Sequence, residues 1–299
     1  MGTSWALGAG DEIVPGTRAE RRLGGGERYE AYVGWDERLY APVVVKVVRP
    51  DLVDDPSTLR GLQREIDMLE RLAHPVIVRT FGGTVETDRP HVVLEHLDGP
   101  RLSTLLRKFG PLAMDQLLPL GLELCSALHY LGREQVVHLD VKPSNIIMGS
   151  PPRLIDLSIA RSVEDAARLD HVTGTDAYLA PEQAAVKRLG PPGTPADMFG
   201  LGATLYEALT GVRPFPKPAA RGDRSGDGSP APEEQWPQLV EDPLPMPRAI
   251  PEVVADPIFA CLDRDPAARP TPAELAERLE PLVDALPKPV LGGLRAKLR

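Results

Sequence analysis

The sequence predicts an α+β fold of two lobes: a small antiparallel β lobe carrying one helix, then a larger helical lobe. Three observations carry the prediction. β-rich runs with a single helical stretch fill the first 97 residues, the pattern turns helical from Leu102 onward, and 42 % hydrophobic with 26 % charged residues over a 299-residue chain suffice to bury a sizeable core. The 27 glycines and 33 prolines, about a fifth of the chain, fall short of low-complexity composition and predict long loops.

The first paired β-rich runs occupy 29–35 and 42–48 and are separated by a turn-prone 36–39, with a third and fourth at 78–86 and 90–97. Between them, 57–73 reads as a helix. Leu59, Leu62, Ile66, Leu69 and Leu72 recur at helical spacing, Asp54-Asp55-Pro56-Ser57 opens the segment and His74-Pro75 stops it. Helical patterns return at 114–133, 196–210, 251–262 and 271–286, and Pro119 and Gly121 predict a kink or a late start in the first of these. Runs 145–148 and 153–157 face each other across Gly149-Ser150-Pro151-Pro152 as a hairpin would. The stretch 217–234, almost without large apolar residues, reads as a mobile loop.

Charge and cysteine content exclude several function classes. With 43 acidic against 34 basic side chains the net charge is −9, which argues against generic nucleic-acid binding; the basic tail 295–299 is too short to change that. No apolar run reaches the length of a membrane span, residues 1–10 lack the regions of a signal peptide, and Ala6 stands where a myristoylation signal needs Ser or Thr. A cytoplasmic location is therefore expected. Cys125 and Cys261, each in an apolar helical context, suit a reducing compartment and form neither a disulfide framework nor a zinc cluster. His74, His91, His96, His129 and His171 show no metal-ligand spacing, and Trp5, Trp35 and Trp236 are too scattered for a stacking platform.

The chemistry-bearing residues begin at Leu23-Gly24-Gly25-Gly26-Glu27-Arg28-Tyr29-Glu30-Ala31, where glycines let the backbone turn tightly and approach phosphates. Alone, such a cluster between two strands is more often just a hairpin turn. Lys46 then interrupts the apolar strand Val43-Val44-Val45-Lys46-Val47-Val48, and Glu65 sits on the helix face that carries Leu62 and Leu69; each needs a partner, and the two can meet. Further on, Val137-His138-Leu139-Asp140-Val141-Lys142-Pro143-Ser144-Asn145 precedes Asp156 in the next strand. Asn145 and Asp156 on neighbouring strands supply hard oxygens of the kind Mg²⁺ takes together with phosphate oxygens.

With these residues in order, the chain resembles the eukaryotic-type protein kinase family, in its bacterial, actinobacterial-like Ser/Thr branch, from about residue 16 to residue 286. The resemblance implies an N-terminal extension over 1–15, a kinase domain over 16–286 with its N-lobe at about 16–97 and its C-lobe at about 98–286, and a tail over 287–299. It implies that Lys46, oriented by Glu65, holds the α- and β-phosphates of ATP, with Leu23, Gly24, Gly26, Ala31, Val44, Glu95 and Leu97 completing the nucleotide site. Asp140 would accept the proton of a protein Ser or Thr hydroxyl, Lys142 would steady the transferred phosphoryl group, and Asn145 with Asp156 would hold Mg²⁺, or Mn²⁺ in its place. Thr173-Gly174-Thr175-Asp176-Ala177-Tyr178-Leu179-Ala180-Pro181-Glu182 resembles the end of an activation segment. Within it Thr173 is a candidate phosphorylation site and Thr175 is placed to approach Asp140 and Lys142. Glu182 would pair with Arg269 and Asp197 would brace the catalytic loop; the upstream cue is expected from a separate regulatory protein or from expression level.

Several positions depart from the family pattern. Tyr29 replaces the third glycine of the phosphate loop, which is expected to limit how closely the loop covers the phosphates. Leu139 replaces the Arg that gathers activation-loop phosphate, which predicts activity without loop phosphorylation. Ser158 in Asp156-Leu157-Ser158 replaces a glycine and is expected to stiffen that segment. Ala31 and Val44 exchange one small and one branched residue over the expected adenine site and so conserve its volume. His138 and Trp236 are expected to pack structurally. Two rival functions stay open: a nucleotide-binding pseudokinase acting as a scaffold or regulator, and a small-molecule phosphotransferase on the same fold.

Overall fold

The computed structural model describes residues 2–215 and 232–287. Its N-terminal lobe is one six-stranded antiparallel sheet built from β1 (Glu12–Val14), β2 (Thr17–Gly25), β3 (Tyr29–Asp36), β4 (Ala41–Val48), β5 (Thr80–Thr84) and β6 (His91–Glu95), in the order β1-β2-β3-β4-β6-β5. The register of β3 on β4 sets Ala31 opposite Lys46 and Val33 opposite Val44. Because strand side chains alternate, these four share the face turned toward the second lobe. The outward-facing set, Tyr32, Val43, Val45 and Val47, closes a separate small core with Ile13, Val14 and Ala19, against which Trp5 and Leu7 pack.

Helix α1 (Pro56–Arg71) crosses the inner face. Asp55 caps it by accepting the Thr58 amide at 2.7 Å, Pro56 fits its first turn, and Leu62, Ile66 and Leu69 point into the core.

The C-terminal lobe starts with α2 (Leu102–Phe109) and the central α3 (Met114–Arg133). A two-residue ladder pairs β7 (Val136–Val137) with β10 (Arg161–Ser162), and the hairpin β8 (Ile146–Ile147) and β9 (Arg153–Leu154) lies between them. Short helices α4 (Val163–Ala166), α5 (Pro181–Ala184) and α6 (Val186–Leu189) follow, then the buried α7 (Thr194–Thr210), the single turn α8 (Pro232–Gln235), α9 (Glu252–Cys261) and α10 (Pro272–Asp284). Thr271 and Glu274 form a reciprocal capping box at the start of α10, and Gly211 ends α7 in the left-handed conformation. Among the described residues no helix is long and apolar enough to cross a membrane.

The two-lobed α+β architecture agrees with the sequence prediction, and several details differ. β1 and β2 were not legible as strands; β1 pairs with β2 across residue 16, and Trp5 and Leu7 pack on the small core of the N-lobe. β5 is shorter than the run 78–86, and its pairing with β6 carries an irregularity between Thr80 and Gly82. Helix α3 shows no late start: Pro119 leaves the Asp115 carbonyl without its helical donor on an exposed first turn, where water can serve. Gly121 instead makes room for α10, since a Cβ there would lie 2.9 Å from Leu279 Cδ1. Of the expected loop 217–234, residues up to 231 lie outside the described residues and 232–234 begin α8; the tail, including 295–299, is likewise outside save for Pro287.

Candidate active site

Lys46 is delivered by the centre of β4 and Glu65 by the third turn of α1, and they meet under the sheet. The Lys46 Nζ donates to both carboxylate oxygens of Glu65 at 2.8 Å and to Asp156 Oδ1 at 3.0 Å. Burial works against the ammonium, but Asp156 and Glu65 together outweigh it and hold its pKa above the ordinary lysine range. Lys46 in turn keeps the Asp156 carboxyl well below the usual range, so Asp156 is ionised; burial raises Glu65, with Lys46 pulling the other way.

A second cluster forms in the segment after β7. Thr175 Oγ1 donates to Asp140 Oδ1 at 2.7 Å, Lys142 Nζ donates to Asp140 Oδ2 at 2.6 Å and to the Thr175 hydroxyl, and Asn145 Nδ2 donates to Asp140 Oδ2 at 3.0 Å. Three donors thus orient one carboxylate. The loop is fixed from below by buried Asp197, whose two oxygens accept the His138 and Leu139 amides at 2.7 Å each. Burial, against those two bonds and with Asp140 adding to it, pushes the Asp197 carboxyl up to about 7.

Asn145 and Asp156 lie just off the strand ends rather than on strands: Asn145 closes a 3₁₀ turn before β8, and Asp156 follows β9 at φ 68°. Leu139 has φ 66°. Left-handed backbone at two non-glycine residues costs about 1–3 kcal/mol each, and here both positions flank the candidate chemistry. Ser158 is not in that region, so this conformation makes no use of the glycine freedom that position lacks; its amide approaches Asp156 Oδ1 at 3.4 Å. Leu157 is buried in the core under α1.

Leu139 packs where the family pattern has an arginine. It is 3 % exposed and clusters with Val137 and Ala166, with Ile159, Val163 and Leu169 packed around them. A leucine joins the catalytic loop to the following segment by apolar contact, where an arginine would offer a charge.

The remaining predicted residues fall as follows. Leu23 is exposed on β2; Ala31 and Val44 are half-buried on the inner sheet face, and half-buried Leu97 follows β6. The Glu95 carboxylate is taken by the Arg79 amide at 2.8 Å and the Arg153 guanidinium at 3.0 Å, and its own amide donates to the Arg79 carbonyl at 3.0 Å, so of its polar groups only the carbonyl can serve the cleft. Glu182 and Arg269 form a buried bidentate pair at 2.7 and 2.8 Å. The Thr173 carbonyl accepts from Gln183 Nε2 at 2.9 Å while its own hydroxyl leans on the His171 carbonyl. His138 is fully buried, and burial lowers its pKa. Trp236 donates to Asp176 Oδ1 and packs beside Leu179 and Leu239.

Sequence reasoning missed two polar hubs. Gln183 bonds the Leu139 and Thr173 carbonyls at once, tying the catalytic loop to the segment that carries Thr173. Behind the phosphate loop, Arg49 Nε donates to the Gly26 carbonyl at 2.8 Å while its NH1 reaches buried Glu30 and the Thr3 carbonyl. Glu30 also accepts from Trp5 N, Tyr32 Oη and Arg22. A buried Glu beside a glycine cluster was the available signal.

The site suits a nucleotide polyphosphate with a divalent cation. A Cβ at Gly24 (φ 138°) or Gly26 would meet nothing within 4 Å, so both face open space, whereas at Gly25 it would strike the Tyr29 carbonyl at 2.6 Å. An ionised Asp156 and the Asn145 oxygen match the hard-oxygen, few-ligand demand of Mg²⁺ completed by phosphates, while Lys46 and Lys142 offset phosphate charge.

Known proteins arrange themselves accordingly. Serine/threonine-protein kinase PknB of Mycobacterium leprae is 36 % identical over 202 residues, covering 64 % of this chain and 32 % of the relative. Serine/threonine-protein kinase pkn2 of Myxococcus xanthus is 32 % identical over 285 residues, 90 % of this chain and 32 % of the relative. PkaA of Streptomyces coelicolor, also a serine/threonine-protein kinase, is 33 % identical over 252 residues, 82 % of this chain and 44 % of the relative. The chain thus aligns with about a third of the length of the first of these relatives. The family description of the protein kinase domain fits residues 17–279, nearly the whole of both lobes, and the chain belongs to the protein kinase family.

Proposed function

We propose that the chain is a Ser/Thr protein kinase that works without phosphorylation of its activation segment. One observation carries the reading: the Lys46–Glu65–Asp156 ion cluster and the Thr175–Asp140–Lys142 triangle are both assembled in the same structure. Bound Mg·ATP, or the Mn²⁺ complex, supplies the γ-phosphoryl group. Lys46 orients the phosphates from under the sheet and Glu65 fixes its direction; Asn145 and Asp156 hold the metal. Asp140 Oδ1, which now accepts the Thr175 hydroxyl, takes the proton of a protein Ser or Thr hydroxyl. Lys142 donates toward the transferred group, and both charged side chains arrive positioned by neighbours, so catalysis rests on orientation and electrostatics. Leu23, Ala31, Val44 and Leu97 offer apolar contact to the adenine, and the Glu95 carbonyl offers it polar contact.

Independence from loop phosphorylation is supported by the apolar packing of Leu139, a side chain that offers a phosphate no charge. An autophosphorylation and generic-substrate assay with Mg·ATP, run beside Asp140→Asn and Lys46→Met, tests the reading. Transfer by the parent chain that both substitutions abolish is the expected result. Nucleotide binding with no transfer, across metals and substrates, would overturn it in favour of a scaffold, a rival that the Tyr29 side chain in the phosphate loop also motivates.

A further inference from the structure

Tyr29 occupies the first position of β3, opposite Val48, where the family pattern has glycine. Its φ lies outside the left-handed region, so the backbone does not require a glycine there. The side chain turns under the sheet onto the inner face and packs on the main core. Two contacts tie it to the machinery. The Lys46 ammonium sits over its ring, 4.7 Å from the centroid, and its hydroxyl donates to the Thr58 carbonyl in the first turn of α1 at 3.3 Å.

The helix is shaped to receive it. Gly61 faces the ring, and a Cβ there would already lie 3.4 Å from the Tyr29 oxygen, so a larger side chain would displace the phenol. Gly61 is one turn before Glu65 and on the same helix face. Tyr29 therefore touches α1 one turn above the residue that grips Lys46, and touches Lys46 itself. Moving α1 away from the sheet breaks the Lys46–Glu65 pair, leaves the Tyr29 hydroxyl without its carbonyl and uncovers the ring, all in one displacement.

The geometry points to Tyr29 as a positioning residue that staples α1 to the sheet and keeps Glu65 docked on Lys46 before any nucleotide binds. The inference rests on the kinase reading for its catalytic consequence and on the fold alone for its mechanical one. Tyr29 and Lys46 both stand on the sheet, so the ring–ammonium contact fixes the ring, while the hydrogen bond to α1 together with the ring's apolar packing shifts the docked-to-undocked ratio by about tenfold. Substituting the ring should act on kcat more than on KM for ATP, since what is lost is the pre-assembled arrangement rather than a contact to the base.

The test uses the full chain with Tyr29→Phe, Tyr29→Leu and Tyr29→Gly, read by amide hydrogen exchange over residues 56–66 without nucleotide and by kcat and KM for ATP. Leucine keeps apolar packing if glycine compromises folding. Exchange should rise above the parent in all three variants, since each loses the hydroxyl that meets the Thr58 carbonyl, in the order Phe, Leu, Gly and reaching about tenfold for Tyr29→Gly, and kcat should fall in the same order. Exchange in Tyr29→Leu and Tyr29→Gly equal to that of the parent overturns the staple. So does a lower KM for ATP at unchanged kcat, which would make the ring an obstruction to nucleotide. If the parent chain transfers no phosphate at all, the kinase reading fails while the exchange series still decides the staple.

Discussion

Truncating Leu139 to alanine is the most direct test of how the catalytic loop is joined to the segment after it. The side chain is 3 % exposed and fills the centre of a cluster formed by Val137 of β7, Ala166 and Val163 of α4, and Ile159 and Leu169 on either side. Deleting three buried carbons at such a site costs about 2–5 kcal/mol when neighbours do not collapse into the gap. Collapse is hindered here because Leu139 N is pinned to Asp197 Oδ1 at 2.7 Å and its carbonyl is pinned to Gln183 at 2.9 Å. At about 2 °C per kcal/mol for a chain of this size, Tm should fall by about 4–10 °C. The four residues of α4 have little stability of their own, so the loss should show locally as faster tryptic cleavage at Arg161 and Arg168. Leu139→Met, which conserves volume, should cost less than about 1.5 kcal/mol and leave both readouts near the parent. The assay is differential scanning calorimetry with limited proteolysis, repeated after phosphatase treatment, which should change neither readout nor activity. Unchanged Tm and cleavage in Leu139→Ala, or an inactive parent chain after dephosphorylation, would refute the reasoning.

Glu182→Ala strands the buried Arg269 guanidinium, whose side chain is fully inaccessible in the pair, and should destabilise the C-lobe by about 3–5 kcal/mol; pairing it with Arg269→Leu should recover part of that loss in a denaturant titration. Asp197 predicts a pH dependence of defined sign. With its carboxyl raised from 3.8 to about 7, its stabilisation is complete below the unfolded value and is lost as pH rises through about 7. The parent chain should therefore have a higher Tm at about pH 5 than at about pH 8, and Asp197→Asn should flatten that difference while losing about 1–3 kcal/mol for the amide it can no longer accept. Burial raises both thiols, Cys261 to about 12, so iodoacetamide at about pH 8 should label neither cysteine in the folded chain and both after unfolding; prompt labelling of the native protein would contradict the packing of α9 against α7.

What was legible in the sequence was what violates a pattern locally. Lys46 in a valine strand and Glu65 on a leucine face each announce a missing partner, and the structure joins them at 2.8 Å. Helix α3 ends where its periodicity ends, and Asp55-Pro56 opens α1 by chemistry that needs no tertiary context. β2 escaped because only Thr17 and Ala19 are buried in its nine residues, so no alternation of polar and apolar residues marks it, and β1 is three residues long. Gln183 and Arg49 escaped for a different reason. Their partners lie 44 residues away at Leu139 and 46 residues away at Thr3, and a polar residue does not announce in sequence which distant carbonyl it will meet. Glu182 with Arg269, 87 residues apart, was legible only through the family resemblance.

Tyr29 and Leu139 depart from the family pattern in opposite lobes, yet they do the same physical work. Each puts an aromatic or apolar contact, present at rest, where the pattern leaves a gap or a charge that awaits a ligand. Tyr29 spans sheet and helix beside the Lys46–Glu65 pair, and Leu139 spans catalytic loop and α4 beside Asp140. The Arg49–Glu30 hub adds a charged anchor behind Gly26, a buried ion pair whose groups have several further partners. None of these contacts includes a nucleotide or a phosphate group. If all three hold in solution, the resting chain already has its charged groups in place. Control then has to act by prying α1 or the segment after Asp156 away from these anchors, or by limiting access of the protein substrate, because little remains to be gained by further ordering.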